Sequence, residues 1–186
     1  MKYLIIGRSG VGKDYIAKLL HDMYNMKILL SYTTRPKRFE NENTHIFIDK
    51  SDVINYKDKI ASTVINGYEY FSTKTQLDNS DIYIIDPNGL NELLSNTPNE
   101  EFCILYISVL DKELHTKMAI NRSKDTNKEL EIFNNRYNDE NEQFCNFEDK
   151  ISNINNFPKN VKNIIQIYNN YNKEELQYTL KQIFDK

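Results

Sequence analysis

Cysteine, tryptophan and glycine are scarce in this sequence, and long apolar runs are missing. Its 186 residues include two cysteines, no tryptophan, five glycines and four prolines. Cys103 and Cys145 form neither a CxxC pair nor a disulfide framework, so we expect a reducing compartment and no zinc site. No apolar run reaches the roughly 18 residues of a membrane span. We therefore expect a cytoplasmic protein.

An excess of positive charge is also absent. Lysine and arginine number 24 against 27 acidic residues, which gives a net charge of −3 and a pI of about 5.7. Broad binding to a nucleic-acid backbone needs a basic face, so we expect neither a nucleic-acid nor a membrane partner. The length fits one domain whose core needs no disulfide or structural metal.

Arginine is the rarer of the two basic residues. Only five arginines stand among 19 lysines, at Arg8, Arg35, Arg38, Arg122 and Arg136. Arginine binds phosphate through a planar, bidentate fork that lysine cannot copy. Because arginine is scarce here, the places where it occurs indicate where phosphate groups would bind.

Apolar runs alternate with amphipathic segments along most of the chain. The predicted strands are 2–6, 27–30, 45–48, 60–65, 68–72, 81–86, 102–109 and 164–168. The predicted helices are 14–24, 52–56, 90–94, 112–120, 128–144 and 173–184. This alternation predicts an α/β fold with a central parallel sheet flanked by helices.

The polar segment 31–72 interrupts this alternation. Its pattern is that of a hairpin, with the turn signal Asn66-Gly67, so it predicts a small mixed β subdomain. We place it at the carboxyl edge of the sheet, where ligands of such sheets bind. The chain is thus expected to be one domain, with a core of 1–30 and 73–186.

Three of the five glycines fall within six residues and form the pattern G-x-x-x-x-G-K from Gly7 to Lys13. A predicted strand precedes the pattern and a predicted helix follows it. In that context backbone N–H groups and the positive end of the helix surround a phosphate, and Lys13 adds a point charge. The predicted phosphate-binding residues are Gly7, Arg8, Ser9, Gly10, Val11, Gly12, Lys13 and Asp14.

Two acidic residues, Asp14 and Asp86, each allow more than one interpretation. Asp14 stands where the motif usually has Ser or Thr, whose hydroxyl binds Mg²⁺. It is either a substitute magnesium ligand, since magnesium prefers oxygen ligands, or an acid in the first helical turn. Asp86, before Pro87, either holds a magnesium-bound water, orients an arginine, or serves as a strand-end turn residue.

Three other residues that often carry chemistry are interpreted as structural. His21 and His115 lie on predicted helices, and we expect surface or packing roles for them. Cys103 lies in an apolar strand and is expected in the core.

A second motif follows the glycine motif: Ser31-Tyr-Thr-Thr-Arg35-Pro-Lys-Arg38. Together the two resemble the guanylate kinase family, whose members carry an S-x-x-[ST]-[ST]-R-x-x-R signature at this place. Further segments follow in the family's order, over residues 1 to about 145. They are His45-Ile-Phe47, Gly67-Tyr-Glu-Tyr70-Phe-Ser72, Ile85-Asp86-Pro-Asn-Gly89, Arg122 and Arg136.

The resemblance implies a P-loop nucleoside monophosphate kinase that uses ATP and Mg²⁺. ATP would bind at the glycine motif, with Lys13, Arg122 and Arg136 as the catalytic cations. A lid over about 121–136 would close over the phosphates, and 31–72 would bind the acceptor. The acceptor residues that the resemblance implies are Ser31, Arg35, Arg38, His45, Tyr70, Ser72 and Asp86. Its partners would be small-molecule nucleotides, and the protein a monomer or homodimer.

The base-reading position departs from the family's pattern. Guanylate kinases carry an acid that reads the guanine edge, and the corresponding residue here is Ala61, which cannot hydrogen-bond a base. The aromatic residue usually found near His45 is also replaced. Glu69 in the hairpin either supplies a carboxylate from another direction or is an exposed surface charge.

Three functions remain open on these observations. The first is an ATP-dependent kinase of a (deoxy)nucleoside monophosphate, with GMP or dGMP as the favoured acceptor. The second keeps the fold but phosphorylates a modified deoxynucleotide or a sugar phosphate such as a ribose bisphosphate. The third is a non-catalytic, guanylate-kinase-like binding module, which the intact glycine motif and Lys13 disfavour.

Overall fold

The computed structural model describes residues 1–65, 67–120 and 126–185, except for the side chains of 119, 126–129, 132, 136 and 139. Within these ranges the strands are β1 Lys2–Ile6, β2 Ile28–Leu29, β3 Tyr32–Thr33, β4 Ile46–Phe47, β5 Lys59–Ile65, β6 Tyr68–Thr73, β7 Ile82–Ile84, β8 Phe102–Ser108 and β9 Val161–Tyr168. The α-helices are α1 Lys13–Tyr24, α2 Lys74–Asp78, α3 Pro87–Asn96, α4 Lys112–Ile120, α5 Thr126–Ile151 and α6 Lys173–Phe184. Two 3₁₀ segments span Lys50–Asn55 and Ile154–Asn156.

The larger sheet is parallel throughout, with the strand order β2-β7-β1-β8-β9. Its central strands are apolar along their length because helices cover both faces. Leu4 and Ile6 of β1 lie in one buried cluster, and Ile5 between them lies in another. This alternation places a hydrophobic core on each face of the sheet. The predicted fold class, a parallel sheet flanked by helices with a separate mixed β unit, is confirmed.

The smaller sheet has the order β4-β3-β6-β5. Strands β3 and β4 are parallel, whereas β6 is antiparallel to both β3 and β5. The rings of Tyr32, Tyr56 and Phe71 pack together, with centroids 4.4 to 5.1 Å apart. This aromatic cluster gives the smaller sheet a packed centre of its own.

Several predicted element bounds differ from those observed. Helix α2 was not predicted, and α5 extends to Ile151 rather than 144. Phe147 explains the extension of α5, because it is buried against the sheet in the added turns. Strand β3 lies in the polar segment 31–72, ahead of the first strand predicted there at 45–48.

In the part of the chain that the structure describes, no helix combines the length and the apolar character needed to cross a membrane.

Helix α2 begins with a reciprocal pair of hydrogen bonds. The Thr73 hydroxyl accepts from the Gln76 N–H at 3.3 Å, and the Gln76 side chain accepts from the Thr73 N–H at 3.0 Å. This capping box satisfies two backbone donors at the start of a short helix. It explains why the chain turns into a helix directly after the hairpin.

Replacement of the capping hydroxyl should destabilise the protein. We expect Thr73→Ala to lower the free energy of unfolding by about 1 kcal/mol, the usual cost of losing an N-cap side chain. Urea unfolding followed by circular dichroism measures this difference. Ser95→Ala, which removes an exposed hydroxyl from α3, is the control and should stay within about 0.5 kcal/mol. Equal effects of the two substitutions would contradict the capping role.

Candidate active site

The glycine motif connects β1 to α1 and lies at the carboxyl end of the central strand. A Cβ atom on Gly7 would come within 2.4 Å of the Ile107 carbonyl oxygen. Gly12 has a φ of +91°, and a Cβ there would lie 2.6 Å from the Asn169 side chain. Both positions therefore require glycine for the loop to keep this shape.

Side chains hold the carbonyl groups of this loop. Lys13 Nζ donates to the carbonyls of Gly7, at 2.7 Å, and Arg8, at 3.0 Å. The next three carbonyls are bonded from outside the loop at 2.8 Å each, Ser9 O by His115, Gly10 O by Tyr171 and Val11 O by Asn169. The backbone frame of the loop is therefore fixed by residues distant in the sequence.

Sequence reasoning missed these outside partners. His115 is buried, and its ring nitrogen contacts the loop, so it does more than pack or cover a surface. Nothing in the sequence around His115 indicates this role. Asn169 and Tyr171 follow the last strand of the sheet, and their position at its carboxyl edge was the one available signal.

One N–H group of the loop already donates a hydrogen bond to a carboxylate. The Ser9 N–H donates to Oε2 of Glu140, on α5, at 2.8 Å. Both residues line the cleft. A backbone donor of the glycine motif thus faces an anion across the cleft, which is the interaction that binding of a phosphate requires.

Arg8 points toward α5 instead of the cleft. Its guanidinium makes a bidentate pair with Glu148, with both N–O distances at 2.9 Å, and lies over the rings of Tyr137 and Phe144. Hydrogen bonding to Glu148 raises the pKa of Arg8. The sequence predicted a phosphate ligand at this position, but here Arg8 anchors α5 to the loop.

Arg35 lies across the cleft from the glycine motif, in the segment after β3. Its Nη2 and Nη1 atoms contact the two carboxylate oxygens of Glu42, at 2.7 and 3.2 Å, and its Nε donates to the Tyr70 hydroxyl at 3.2 Å. The guanidinium also lies 5.2 Å from the centre of the Phe47 ring. These contacts hold Arg35 in one orientation at the cleft wall.

Glu42 is the buried partner that organises this loop. Glu42 is 3% exposed. Its carboxylate accepts hydrogen bonds from Arg35, from the Arg38 N–H at 2.6 Å and from the Thr44 hydroxyl at 3.1 Å. Hydrogen bonding by Arg35 lowers the pKa of Glu42 to about 2. The residue is therefore ionised at neutral pH. Sequence reasoning did not single it out.

Ser31 and His45 form a second polar pair beside Arg35. The Ser31 hydroxyl and His45 Nδ1 are 3.0 Å apart, and the His45 ring meets the Tyr70 ring edge to face at 5.4 Å. Burial lowers the pKa of His45, and Arg35 lowers it further. A neutral imidazole at pH 7 follows from this environment.

The wall formed by β5 and β6 carries no acid at the predicted base-reading position. Ala61 is 1% exposed and lies opposite Ser72 in the strand register. The Ser72 hydroxyl is buried near the Tyr83 hydroxyl, yet makes no hydrogen bond of standard geometry in the described part of the chain. Ser72 is not among the cleft-lining residues, whereas Ala61 and Tyr83 are. Ser72 therefore lies behind the wall that was predicted to face a base.

Besides Glu140, the acidic residues Asp14 and Asp86 line the cleft. Asp86 caps α3, where its Oδ1 accepts from the N–H groups of Asn88, at 3.0 Å, and Gly89, at 3.1 Å. Asp14 is exposed in the first turn of α1. Magnesium at phosphate sites is usually held by one or two carboxylates together with the substrate's phosphates, so Asp14 fits such an ion. The described residues contain no group of three or more metal-binding side chains.

One cleft of about 570 Å³ is lined both by the glycine motif and by predicted acceptor residues of segment 31–72. The predicted site residues that line it are Gly7, Ser9, Gly10, Gly12, Lys13, Asp14, Ser31, Arg35, Arg38, His45, Tyr70 and Asp86. Val11 is buried in the core and, like Arg8, does not line the cleft. Arg122 and the side chain of Arg136 lie outside the described residues.

Acidification should lower the folding stability of the protein, because it protonates Glu42. A pKa lowered from 4.5 to about 2 in the folded state means that the carboxylate stabilises the fold fully above about pH 5. This stabilisation is lost as the pH falls toward 2. We expect Glu42→Gln to lower the free energy of unfolding by about 3 kcal/mol at pH 7, because Arg35 loses its partner. The substitution should also reduce the loss of stability between pH 5 and pH 2, which we call the acid limb.

Urea unfolding between pH 2 and 7 tests this expectation about Glu42. Glu40→Gln changes an exposed acid of the same loop and serves as the control. An acid limb of equal slope in the parent and in Glu42→Gln would contradict the assignment.

Comparison with known proteins identifies the fold. No protein-family model matches the sequence, and no curated protein matches it. The structure is similar to that of guanylate kinase from Anaplasma phagocytophilum, with a TM-score of 0.60 and 17% identity over 98% of this chain and 83% of that chain. An uncharacterized protein from Eubacterium ventriosum matches at a TM-score of 0.45 and 15% identity, over 100% of this chain and 99% of the other. The similarity to that guanylate kinase shows that the chain has a guanylate kinase-like fold.

Proposed function

We propose that this chain transfers a phosphoryl group from ATP to a (deoxy)nucleoside monophosphate, with GMP or dGMP as the favoured acceptor. The observation that carries the proposal is that one cleft is lined both by the glycine motif and by Arg35 and Arg38, from the segment after β3. Two phosphorylated ligands bound there would meet end to end. The guanylate kinase-like fold supports the same assignment.

The ATP half of the proposed site is the loop Gly7–Asp14. Its N–H groups and the amino end of α1 would bind the triphosphate, and the Lys13 ammonium would lie beside the β- and γ-phosphates. Magnesium, held by Asp14 and the phosphates, would supply further neutralisation of the transferred group's charge.

The acceptor half is the segment 31–72. Arg35 and Arg38 would bind the acceptor phosphate, with Ser31, His45 and Tyr70 as hydrogen-bonding neighbours. Glu42 supports this role because it holds Arg35 at the cleft wall before a ligand arrives. A positioned guanidinium loses less freedom on binding than a mobile one.

The reaction needs no general base, since the acceptor is already an anion. An oxygen of the acceptor phosphate would form a bond to the γ-phosphorus while the bond from that phosphorus to the β–γ bridging oxygen breaks. ADP leaves with that oxygen, and the acceptor becomes a diphosphate. Positioning and charge stabilisation account for most of the catalysis of such transfers. Arg122 and Arg136, from a lid over 121–136, would complete the cation set.

Ala61 favours a second candidate acceptor. A carboxylate that pairs with a base contributes about 1–3 kcal/mol of discrimination, and Ala61 cannot supply it. Without an acid at position 61, the wall around Ala61 and Tyr83 leaves the base position open to a modified deoxynucleotide, or to a sugar phosphate such as a ribose bisphosphate. A binding module without activity is disfavoured by the complete glycine motif.

A turnover assay with a panel of acceptors tests the proposal. ADP release from ATP is measured with GMP, dGMP, the other nucleoside monophosphates and ribose bisphosphates. We expect at least one acceptor to stimulate ADP release, and Lys13→Met to lower that rate by about 100-fold or more. Lys18→Met, an exposed lysine of the same helix, should leave it unchanged. A folded parent protein that turns over no acceptor would overturn the assignment.

Introduction of an acid at position 61 should improve the use of guanine nucleotides. We expect Ala61→Glu to raise kcat/KM for GMP by about tenfold, mainly through a lower KM, because the carboxylate pairs with the guanine edge. Ala61→Gln matches its size without its charge and should gain less. Thermal unfolding checks that both variants are folded. An unchanged or lower kcat/KM for GMP in Ala61→Glu would contradict the assignment of position 61 to the base site.

A further inference from the structure

Three successive carbonyls of the glycine motif are held from outside the loop, on Ser9, Gly10 and Val11. A trans peptide is planar, and its C=O and N–H groups point in opposite directions. A hydrogen bond to the carbonyl of one residue therefore also sets the direction of the next residue's N–H. The contact on the Ser9 carbonyl accordingly orients the Gly10 N–H, and Gly10 lines the cleft.

His115 is the residue that holds the Ser9 carbonyl. Its Nε2 lies 2.8 Å from that oxygen, and the residue is 7% exposed. A carbonyl oxygen can only accept, so Nε2 must carry the proton in this contact. The imidazole also packs edge to face on Phe133, with centroids 5.2 Å apart. His115 thus joins α4 and α5 to the backbone of the glycine motif.

The opposite side of the loop is suited to anions. The Ser9 N–H, one peptide before the Gly10 N–H, donates to the Glu140 carboxylate in the cleft. If the Ser9–Gly10 peptide rotated away from this orientation, the Gly10 N–H would be lost as a donor on the anion-binding side of the loop. The hydrogen bond from His115 to the Ser9 carbonyl can therefore influence phosphate binding although His115 itself does not contact the phosphate.

We propose that His115 is a positioning residue for ATP, which orients the Gly10 N–H toward the triphosphate through its bond to the Ser9 carbonyl. This inference rests on the proposed function of the cleft. His115 does not line the cleft, so the effect is transmitted through one peptide unit. Its donor and its ring make separable contributions, to the Ser9 carbonyl and to Phe133 respectively.

Two substitutions at His115 separate these contributions. His115→Phe keeps an aromatic ring against Phe133 but has no donor. His115→Gln keeps an N–H donor that can reach the Ser9 carbonyl but has no ring. Calorimetric titration with ATP gives the affinity of each variant, and thermal unfolding gives its stability.

We expect His115→Phe to weaken ATP binding by about tenfold, the effect of one lost hydrogen bond. His115→Gln should bind ATP within about twofold of the parent although its melting temperature falls. His21→Phe is the matched control, because it removes a 2.8 Å bond from an exposed histidine to the Met26 carbonyl. It should leave ATP affinity unchanged.

The outcomes distinguish this inference from the proposed function. If the parent binds ATP and His115→Phe binds it equally well, the positioning role is refuted while the function stands. Weaker binding by His115→Gln than by His115→Phe would also refute it, because packing would then be the cause. A folded parent that binds no ATP would overturn the proposed function together with this inference.

Discussion

The direction of the peptide groups between Gly7 and Gly12 is the constraint on which the site depends. A glycine-rich loop is free to take many shapes, and only some of them present N–H groups to the cleft. In this chain the carbonyls are tied by Lys13 from within the loop and by His115, Tyr171 and Asn169 from outside. These partners come from α1, α4 and the segment after β9. The loop therefore keeps its shape only when the whole parallel sheet and its helices are assembled.

Carboxylates balance the cations around the cleft in the same structure. Glu42 is bonded to Arg35, Glu148 to Arg8, and Glu140 to a backbone N–H of the glycine motif. Converging cations repel one another before an anion arrives, and paired acids offset that repulsion. The pairs have different consequences. The Glu42 pair leaves Arg35 at the cleft wall, whereas the Glu148 pair turns Arg8 toward α5. The two arginines therefore differ in their contacts and in where they point.

Local sequence patterns predicted the parts of the molecule that depend on local physics. Helices α4 and α6 begin and end where their periodicity indicated, and the glycine motif connects a strand to a helix as expected. The partner of Arg8 was beyond such reasoning. Glu148 lies 140 positions from Arg8, and no spacing rule relates them. His115 was unpredictable for the same reason, because its contact with Ser9 arises only when α4 packs beside the loop.

The two ends of the cleft differ in chemistry, and this difference separates the fold from the choice of substrate. One end carries the glycine motif, Lys13 and Arg35, whose charge and hydrogen-bond donors suit phosphate groups in general. The wall of the other end includes Ala61 and Tyr83 and carries no acid at position 61. Strand β5, which carries Ala61, makes no part of the glycine motif or of its carbonyl contacts. Under the proposed function, a substitution on β5 would change which acceptor fits without a change in the glycine motif. A guanylate kinase-like fold therefore leaves the acceptor open, and under the proposed function the β5 wall would select it.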